Sequence, residues 1–289
     1  MKIKILIPVY NDWQSVIKLL ENINSKILGL PHEFSAIIVD DASTENRTQI
    51  FLNLDNLKSI KIINMKENRG HARCNAAGLK YIFEKEEFDY VIPMDGDGED
   101  RPEEIKQIID SLNYHSDKPI VGERIKRSEG IFFKFCYLAH KIITYTFTGE
   151  IIKFGNYSCL PKSTVEKMIN EKATWSSFSG SLAKVEKYRA KVPSERGKRY
   201  FGPSKMSFKH LIIHSLSIIS VFKISVLIRS ILFLGIYIFL IHQKISIIML
   251  IPVLLVLALL VSVFVVSNRE NLEELKNSLS NIKNIENLK

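Results

Sequence analysis

The chain has 289 residues, a formal net charge of +9 and a sequence pI near 9.3. This length allows one large domain with an appendage or two small domains. The positive charge favours an anionic partner, such as a phosphorylated substrate, nucleic acid or an acidic lipid surface. The 3 cysteines are odd in number and lack metal-ligand spacing, as expected for free thiols in a reducing compartment, which argues against a disulfide-rich secreted domain.

The first half of the chain predicts strands that alternate with helices. Apolar residues recur at helical spacing after the first and third of these strands. Such alternation indicates a mainly parallel sheet with helices on both faces, an α/β fold. The predicted strands are Lys2–Val9, Phe34–Val39, Ile60–Asn64, Tyr90–Met94 and Pro119–Val121.

Acidic residues follow three of these strands. Asp12 follows the first strand, Asp41 the second, and the fourth runs into the acidic turn DGDGED. A single Asp at a strand end is ordinarily a helix cap. Because parallel strands present their carboxyl ends at one edge of the sheet, three acidic ends in neighbouring units of the chain predict a shared pocket there.

The acidic turn after the fourth strand has two readings. Asp95 and Asp97, separated by Gly96, can both reach one hard cation if the backbone turns sharply, and oxygen ligands favour Mg²⁺ or Mn²⁺. Such ions commonly bridge the phosphates of a nucleotide. Alternatively, the turn is a solvated cap of the helix that Pro102 begins.

Two long apolar runs predict a membrane anchor. Ile224–Ile241 and Ile245–Val266 approach the ~20 residues that a helix needs to cross a bilayer, and only three residues separate them. Arg229 in the first run is expected to extend its side chain towards the near interface. Basic residues flank the two runs on both sides. Because such residues favour the cytoplasmic side of a membrane, we expect the two runs to form a hairpin and the soluble domain to lie in the cytoplasm. The basic residues are Lys205, Lys209, Lys223 and Arg269.

Four motifs in order resemble a known family. The stretches ILIPVYND, IIVDDASTENRT, ENRGHARCNAAG and IPMDGDGEDRPEEI look like the nucleotide-sugar half of a family 2 glycosyltransferase with the GT-A fold. The resemblance covers about the first 125 residues and continues more weakly to the apolar runs. A soluble domain followed by amphipathic and apolar helices is most similar to the branch of dolichol-phosphate mannose synthases and polyprenyl-phosphate glycosyltransferases.

The resemblance implies roles for individual residues. By this resemblance, Asp95, Asp97 and Glu99 would bind the metal ion, Mg²⁺ or Mn²⁺. Glu99 stands where the branch typically has Gln. Asp12 stands where the family usually has Glu. The residues implied in binding the nucleotide-sugar donor are Pro8, Tyr10, Asp12, Asp41, Gly70, Arg73, Asp95, Arg124, Arg196 and Ser204.

Two later segments bear on the reaction. Ser194–Lys205 (SERGKRYFGPSK) is either a basic patch that attracts anionic lipid or, as the resemblance implies, a cradle for diphosphate or acceptor phosphate. On the second reading, Asp97, Arg199 and Lys205 are the expected catalytic residues. Asn156 stands where the branch commonly has an Asp, so a carboxylate base is missing at this position.

The remaining segments predict helices. Ile131–Thr148 is expected either along the membrane surface or as an ordinary packed helix, and Ser207–Phe222 is expected to lie in the interface, with packing on the head as the rival. Apolar residues at helical spacing in the tail predict a short cytoplasmic helix. The expected divisions are a GT-A domain at 1–206, an interfacial helix at 207–222, a transmembrane hairpin at 223–267 and a tail at 268–289.

These features favour a multi-pass enzyme of the cell (inner) membrane. It would transfer a sugar, with inversion, from a nucleotide-diphosphate sugar to a polyprenyl phosphate. Expected partners are membrane lipids and another copy of the chain, not nucleic acid. One alternative is transfer to a hydroxyl of a lipid-linked saccharide in envelope polysaccharide synthesis. Another is an idle GT-A head that serves as a membrane scaffold.

Overall fold

The computed structural model describes residues 1–45, 47, 53–126, 131–203, 207–243 and 246–289. Of Lys126, residues 131–135 and residue 137, only the backbone is described. The strands β1 to β8 are Lys2–Val9, Glu33–Asp40, Leu57–Met65, Tyr90–Pro93, Ile120–Lys126, Ser158–Pro161, Ala190–Glu195 and Ile282–Asn287. The helices α1 to α10 are Trp13–Lys26, His71–Lys85, Ile105–Ser111, Ile131–Thr148, Lys162–Ile169, Phe178–Val185, Phe208–Ser220, Lys223–Ile241, Ile247–Ser267 and Leu272–Lys276.

The eight strands form one sheet in the order β7-β5-β6-β4-β1-β2-β3-β8. β1, β2, β3 and β4 are mutually parallel, and β5 is parallel to β7. β6 runs antiparallel to both β4 and β5, and β8 antiparallel to β3. Six strands therefore point the same way, and their carboxyl ends meet at one edge of the sheet.

Apolar side chains alternate between the two faces of the central strands. Ile3, Ile5 and Ile7 of β1 are fully buried and belong to the core cluster that α1 and α3 cover. Leu6 points to the other face, where α2 lies so close that a Cβ at Gly78 would sit 2.4 Å from a Leu6 methyl carbon. The predicted sheet with helices on both faces is confirmed.

The chain divides into two compact units. The first contains the described residues of Met1–Ser128, Lys153–Lys205 and Asn271–Lys289, and it includes the whole sheet. The second contains those of Glu129–Ile152 and Met206–Glu270. These divisions differ from the predicted ones, because α4 groups with the apolar helices and the tail groups with the sheet.

The second unit consists of α4, α7, α8 and α9. Lys223–Ile241 and the helix that begins at Ile247 are long and apolar enough to cross a membrane, and the most apolar stretch of each is only 11% buried. Ile219, Val226 and Val263 form a small buried cluster between α7, α8 and α9. Arg229 donates to the Thr146 carbonyl at 3.2 Å, so α4 supplies a partner for the charge in α8.

The tail differs from the predicted helix. Only Leu272–Lys276 is α-helical, a short 3-10 turn follows, and Ile282–Asn287 is strand β8. β8 pairs with β3 from Lys61↔Asn287 to Met65↔Ile282. A strand at the edge of a sheet has unpaired backbone N–H and C=O groups. The tail forms hydrogen bonds with those of β3 because it is a strand, whereas a helix would use its backbone groups internally.

Candidate active site

The acidic turn after β4 is held by its own backbone hydrogen bonds. The backbone N–H of Asp95 donates to Asp100 Oδ2 at 2.9 Å, and that of Glu99 donates to Asp97 Oδ1 at 3.0 Å. Gly98 has φ +88°, a conformation that favours glycine. These bonds fold the turn back on itself at the carboxyl edge of the sheet, where the sequence predicted a pocket.

The segment that follows β7, here called the arginine loop (Arg196–Tyr200), packs on this turn. Arg199 donates to Asp97 Oδ2 and to Asp12 Oδ2, both at 2.5 Å, and Arg196 pairs with Glu99. The backbone also contacts the turn, because Gly197 N donates to the Glu99 carbonyl at 2.8 Å. One guanidinium thus joins carboxylates that follow two different strands.

Close packing between the two segments depends on glycine. A Cβ at Gly197 would lie 2.6 Å from the Gly98 carbonyl oxygen, and a Cβ at Gly98 would lie 2.5 Å from the Tyr200 ring. The Tyr200 hydroxyl accepts from Asn22 Nδ2 at 2.8 Å. The arginine loop is therefore anchored on α1 as well as on the acidic turn.

A second cluster lies beside Asp95. His71, the first residue of α2, places Nε2 3.2 Å from Asp95 Oδ1. Asn156 Nδ2 lies 3.0 Å from the same oxygen and 2.8 Å from His71 Nε2. Sequence reasoning found Asn156 only as a departure from the family pattern and did not single out His71. Its place in ENRGHARCNAAG, where a helix starts after β3, was the available signal.

The carboxylates of the turn repel one another in a buried setting. Burial raises the pKa of Asp97 to about 6, Asp95 adds to the rise, and Arg199 opposes it. Burial, and then the charge of Asp95, also raises the pKa of Asp100 to about 8, against the influence of Arg124. A further cation at this edge would relieve that repulsion.

Asp41 lies beneath the turn that joins β3 to α2, here called the β3–α2 loop (Lys66–Gly70). Its carboxylate accepts from Arg69 N at 2.9 Å and from Gly70 N at 2.7 Å. Burial is the main reason why the pKa of Asp41 is raised, although both N–H donors act to lower it. Its predicted role in holding a nucleoside stays a prediction.

Asp12 is not the side-chain cap that its position suggested. It occupies the N-cap position of α1 without bonding a backbone N–H. Instead, Oδ1 accepts from the Ser15 hydroxyl at 2.6 Å, while Oδ2 accepts from Arg199. The carboxylate is therefore part of the site.

The neighbouring Asn11 links the segments that follow β1 and β2, since its Oδ1 accepts from Thr44 N at 2.8 Å.

The other predicted donor-binding residues lie around the same edge. Pro8 is in β1, and Tyr10 just after it is 44% exposed. Arg73 stacks on the Trp175 ring, with its guanidinium carbon 5.5 Å from the ring centroid. Arg124 in β5 lies close to Gly155, whose Cβ would meet its Nη2 at 2.9 Å. Ser204 and Lys205 lie outside the described residues.

The predicted metal ligands do not converge as a trio. In the described part of the chain, no three His, Cys, Asp or Glu side chains are gathered as metal ligands. The physical reason is the arginine loop, because Arg196 pairs with Glu99 and Arg199 with Asp97. Asp95, whose side chain is 26% exposed, has no arginine among its described contacts.

Comparisons with known proteins show the same fold in several solved structures. S. aureus TarS 1-349 in complex with UDP-GlcNAc is 15% identical, with a TM-score of 0.53, and the match covers 97% of this chain and 89% of that one. The match to a longer chain of S. aureus TarS spans only 42% of the length of that chain. PcManGT of Pyrobaculum calidifontis, a mannosyltransferase in complex with GDP-Man and Mn²⁺, is 13% identical over 96% of this chain and 74% of that one, with a TM-score of 0.54.

A third similar structure is the mannosyl-3-phosphoglycerate synthase of Rubrobacter xylanophilus. It is 14% identical, with a TM-score of 0.56, over 76% of this chain and 72% of that one. At these identities the likeness shows the GT-A fold. The profile of one family, Glycosyl transferase family 2, matches residues 4–176, which is more than half of the chain. The chain therefore belongs to glycosyltransferase family 2.

Proposed function

We propose that the protein is a membrane-anchored glycosyltransferase that moves a sugar from a nucleotide-diphosphate sugar to a polyprenyl phosphate at the cytoplasmic face of the cell membrane. The observation that carries this proposal is the arginine loop on the acidic turn. It places Arg196 and Arg199 against carboxylates at the carboxyl edge of the sheet. Open α/β sheets bind their ligands at this edge.

The two arginines suit the leaving group of such a transfer. A nucleoside diphosphate leaves with concentrated negative charge, and guanidinium forks bind phosphate oxygens through paired hydrogen bonds. Arg199 forms ion pairs with Asp12 and Asp97. The donor's phosphates would compete with these carboxylates for the guanidinium. Two of the similar structures support this donor class, since they are complexes with UDP-GlcNAc and GDP-Man.

Among the three predicted ligands of a divalent cation, Asp95 is the most open, and arginines hold the other two. Asp95 is partly exposed, and Asp97 is buried beside it in a site with excess negative charge. Hard carboxylate oxygens suit Mg²⁺ or Mn²⁺. Bound there, the ion would neutralise charge that develops on the leaving diphosphate. To bind the ion, Asp97 would have to leave Arg199 and Glu99 would have to leave Arg196, so both stay predicted ligands.

The acceptor class is inferred from Asn156 and from the apolar helices. A hydroxyl acceptor normally needs a positioned base, and losing one costs ~100-fold in rate. A polyprenyl phosphate is already ionised, because the second pKa of a phosphate monoester lies near ~6. At the position where a base would be expected, the amide of Asn156 donates to Asp95. Helices α8 and α9 favour an acceptor that resides in the membrane.

Substitution of Arg199 tests the proposed chemistry. We expect Arg199→Ala to lower sugar transfer to polyprenyl phosphate by ~100-fold, and Arg199→Lys to retain part of it. Lys198→Ala is the matched control, because Lys198 is exposed in the same loop. Asn156→Asp should change the rate little. Donor turnover that survives Arg199→Ala would contradict the proposed role, and no turnover by the wild type would favour a scaffold.

A further inference from the structure

The segment that follows the apolar helices, here called the return segment (Asn271–Lys289), is built into the same compact unit as the sheet. Leu275 of α10 is fully buried against Ala76 of α2 and Trp175. β8 extends the sheet beside β3, and the Ile60 carbonyl accepts from Leu288 N at 2.9 Å. The segment therefore packs along two elements, β3 and α2, that lead into and out of the β3–α2 loop.

The return segment also contacts this loop directly. Lys66 N donates to the Asn281 carbonyl at 2.7 Å, and Asn281 Nδ2 donates to the Glu67 carbonyl at 3.1 Å. Glu274 lies at the other end of the loop, 3.6 Å from Arg69 Nη1. Its Oε2 also accepts from the Trp175 indole N–H at 2.8 Å. The return segment thus contacts the loop at both ends.

The end of the loop that leads into α2 contacts residues of the candidate active site. The backbone N–H groups of Arg69 and Gly70 donate to Asp41, and Gly70 has φ +90°. His71, the next residue, lies 3.2 Å from Asp95. Asp41 and Glu274 therefore contact the same two-residue stretch. Asp41 binds its backbone, and Glu274 lies against the Arg69 side chain, which also pairs with Glu67.

From these contacts we infer that Glu274 is a positioning residue for the donor. It holds the Arg69–Gly70 stretch in place, and the nucleotide-sugar site is incomplete without the return segment. This inference rests on the proposed function for its donor. A half-exposed ion pair contributes little to stability by itself. Glu274 also holds the Trp175 ring on which Arg73 stacks, so its removal loosens two donor-side groups at once.

The expected kinetic signature is a change in KM. Contacts that hold a binding loop act on the ground state and the transition state alike, so their loss raises KM and leaves kcat unchanged. In the full-length protein we expect Glu274→Ala to raise the KM for the nucleotide sugar by ~5-fold, with kcat within twofold. Glu274→Gln keeps an acceptor for Trp175 without the charge, and its KM should be intermediate. Glu273→Ala, an exposed acid of the same helix, is the control.

Hydrogen exchange of the loop gives a second readout that needs no donor. Glu274→Ala should speed exchange at the Arg69 and Gly70 amides by ~5-fold or more, and Glu273→Ala should not. Unchanged exchange and unchanged KM overturn the inference. A parallel loss of kcat and melting temperature with constant KM also overturns it, since that is a purely structural effect. If Glu274→Ala speeds exchange but the wild type binds no nucleotide sugar, the proposed function is wrong, while the contact between Glu274 and the loop is supported.

Discussion

At the scale of single residues, the site balances acidic groups from one part of the chain with basic groups from another. Asp12 and Arg199 are 187 positions apart in sequence and form one ion pair. The carboxylates could be predicted, because each follows an apolar strand. Their partners could not, since nothing in the local pattern of SERGKRYFGPSK fixes which carboxylate an arginine meets.

A buried charge cluster away from the site gives a prediction about pH. Glu86 is buried between Lys4 and Lys61, at 2.9 and 2.5 Å. Burial acts to raise the pKa of Glu86, but the hydrogen bonds from Lys61 and Lys4 outweigh it and hold the pKa below its usual value of 4.5. A lowered folded-state pKa stabilises the protein above the unfolded value, and this stability is lost as pH falls through the folded value.

We therefore expect Glu86→Gln to lower the free energy of unfolding by about 2 kcal/mol at pH 7, because it removes the charged partner that the buried Lys4 and the partly exposed Lys61 share. The difference from the wild type should shrink as pH falls below 4.5, where the wild-type glutamate becomes protonated. Denaturant unfolding at pH 7 and pH 3.5 measures both effects. Glu87→Gln is the control, since Glu87 is 85% exposed and pairs only at the surface. A difference that does not depend on pH would contradict this account.

At the scale of secondary structure, the buried parallel strands could be predicted and the edge strands could not. β1 and β2 are almost wholly buried apolar runs, which the sequence shows directly. β8 is mostly exposed and reads IKNIEN, so neither its composition nor its spacing indicates a strand. Its conformation comes from pairing with β3, a contact that a local pattern cannot contain.

This dependence on pairing can be tested at the end of β8. Leu288→Pro removes the N–H that donates to the Ile60 carbonyl, whereas Leu288→Ala keeps it. We expect the proline variant to exchange amide hydrogens of β8 at least ~5-fold faster than the alanine variant, since a lost hydrogen bond costs ~1 kcal/mol. Equal protection in both variants would show that β8 is held by other contacts.

At the scale of the whole molecule, the chain leaves the unit that contains the sheet and later rejoins it. Residues 206–270 belong to the second unit, and the return segment belongs to the first. If α8 and α9 both cross the membrane, an even number of crossings brings the chain back to the side where it started. The two long apolar helices were predictable from hydropathy, while the use of the return segment in the sheet was not.

Cysteine labelling tests this topology. On intact cells, a cysteine at Gln243, between α8 and α9, should react with an impermeant maleimide. A cysteine at Asn277, which is exposed in the return segment, should react only after permeabilisation. Both predictions follow from the basic flanks of the hairpin. The wild type serves as the blank for Cys74, Cys136 and Cys159. The opposite labelling pattern would place the sheet outside the cytoplasm.

In the proposed reaction, a nucleotide-diphosphate sugar donates its sugar to a lipid phosphate. The most direct test of this reaction is the chemistry of the product formed by the purified protein in detergent with Mn²⁺, a panel of radiolabelled nucleotide sugars and polyprenyl phosphate. One donor should yield a lipid-soluble product from which mild acid releases the sugar, as expected for a sugar linked through a phosphodiester. A product that resists mild acid, or one formed equally well on polyprenol without a phosphate, would contradict the account.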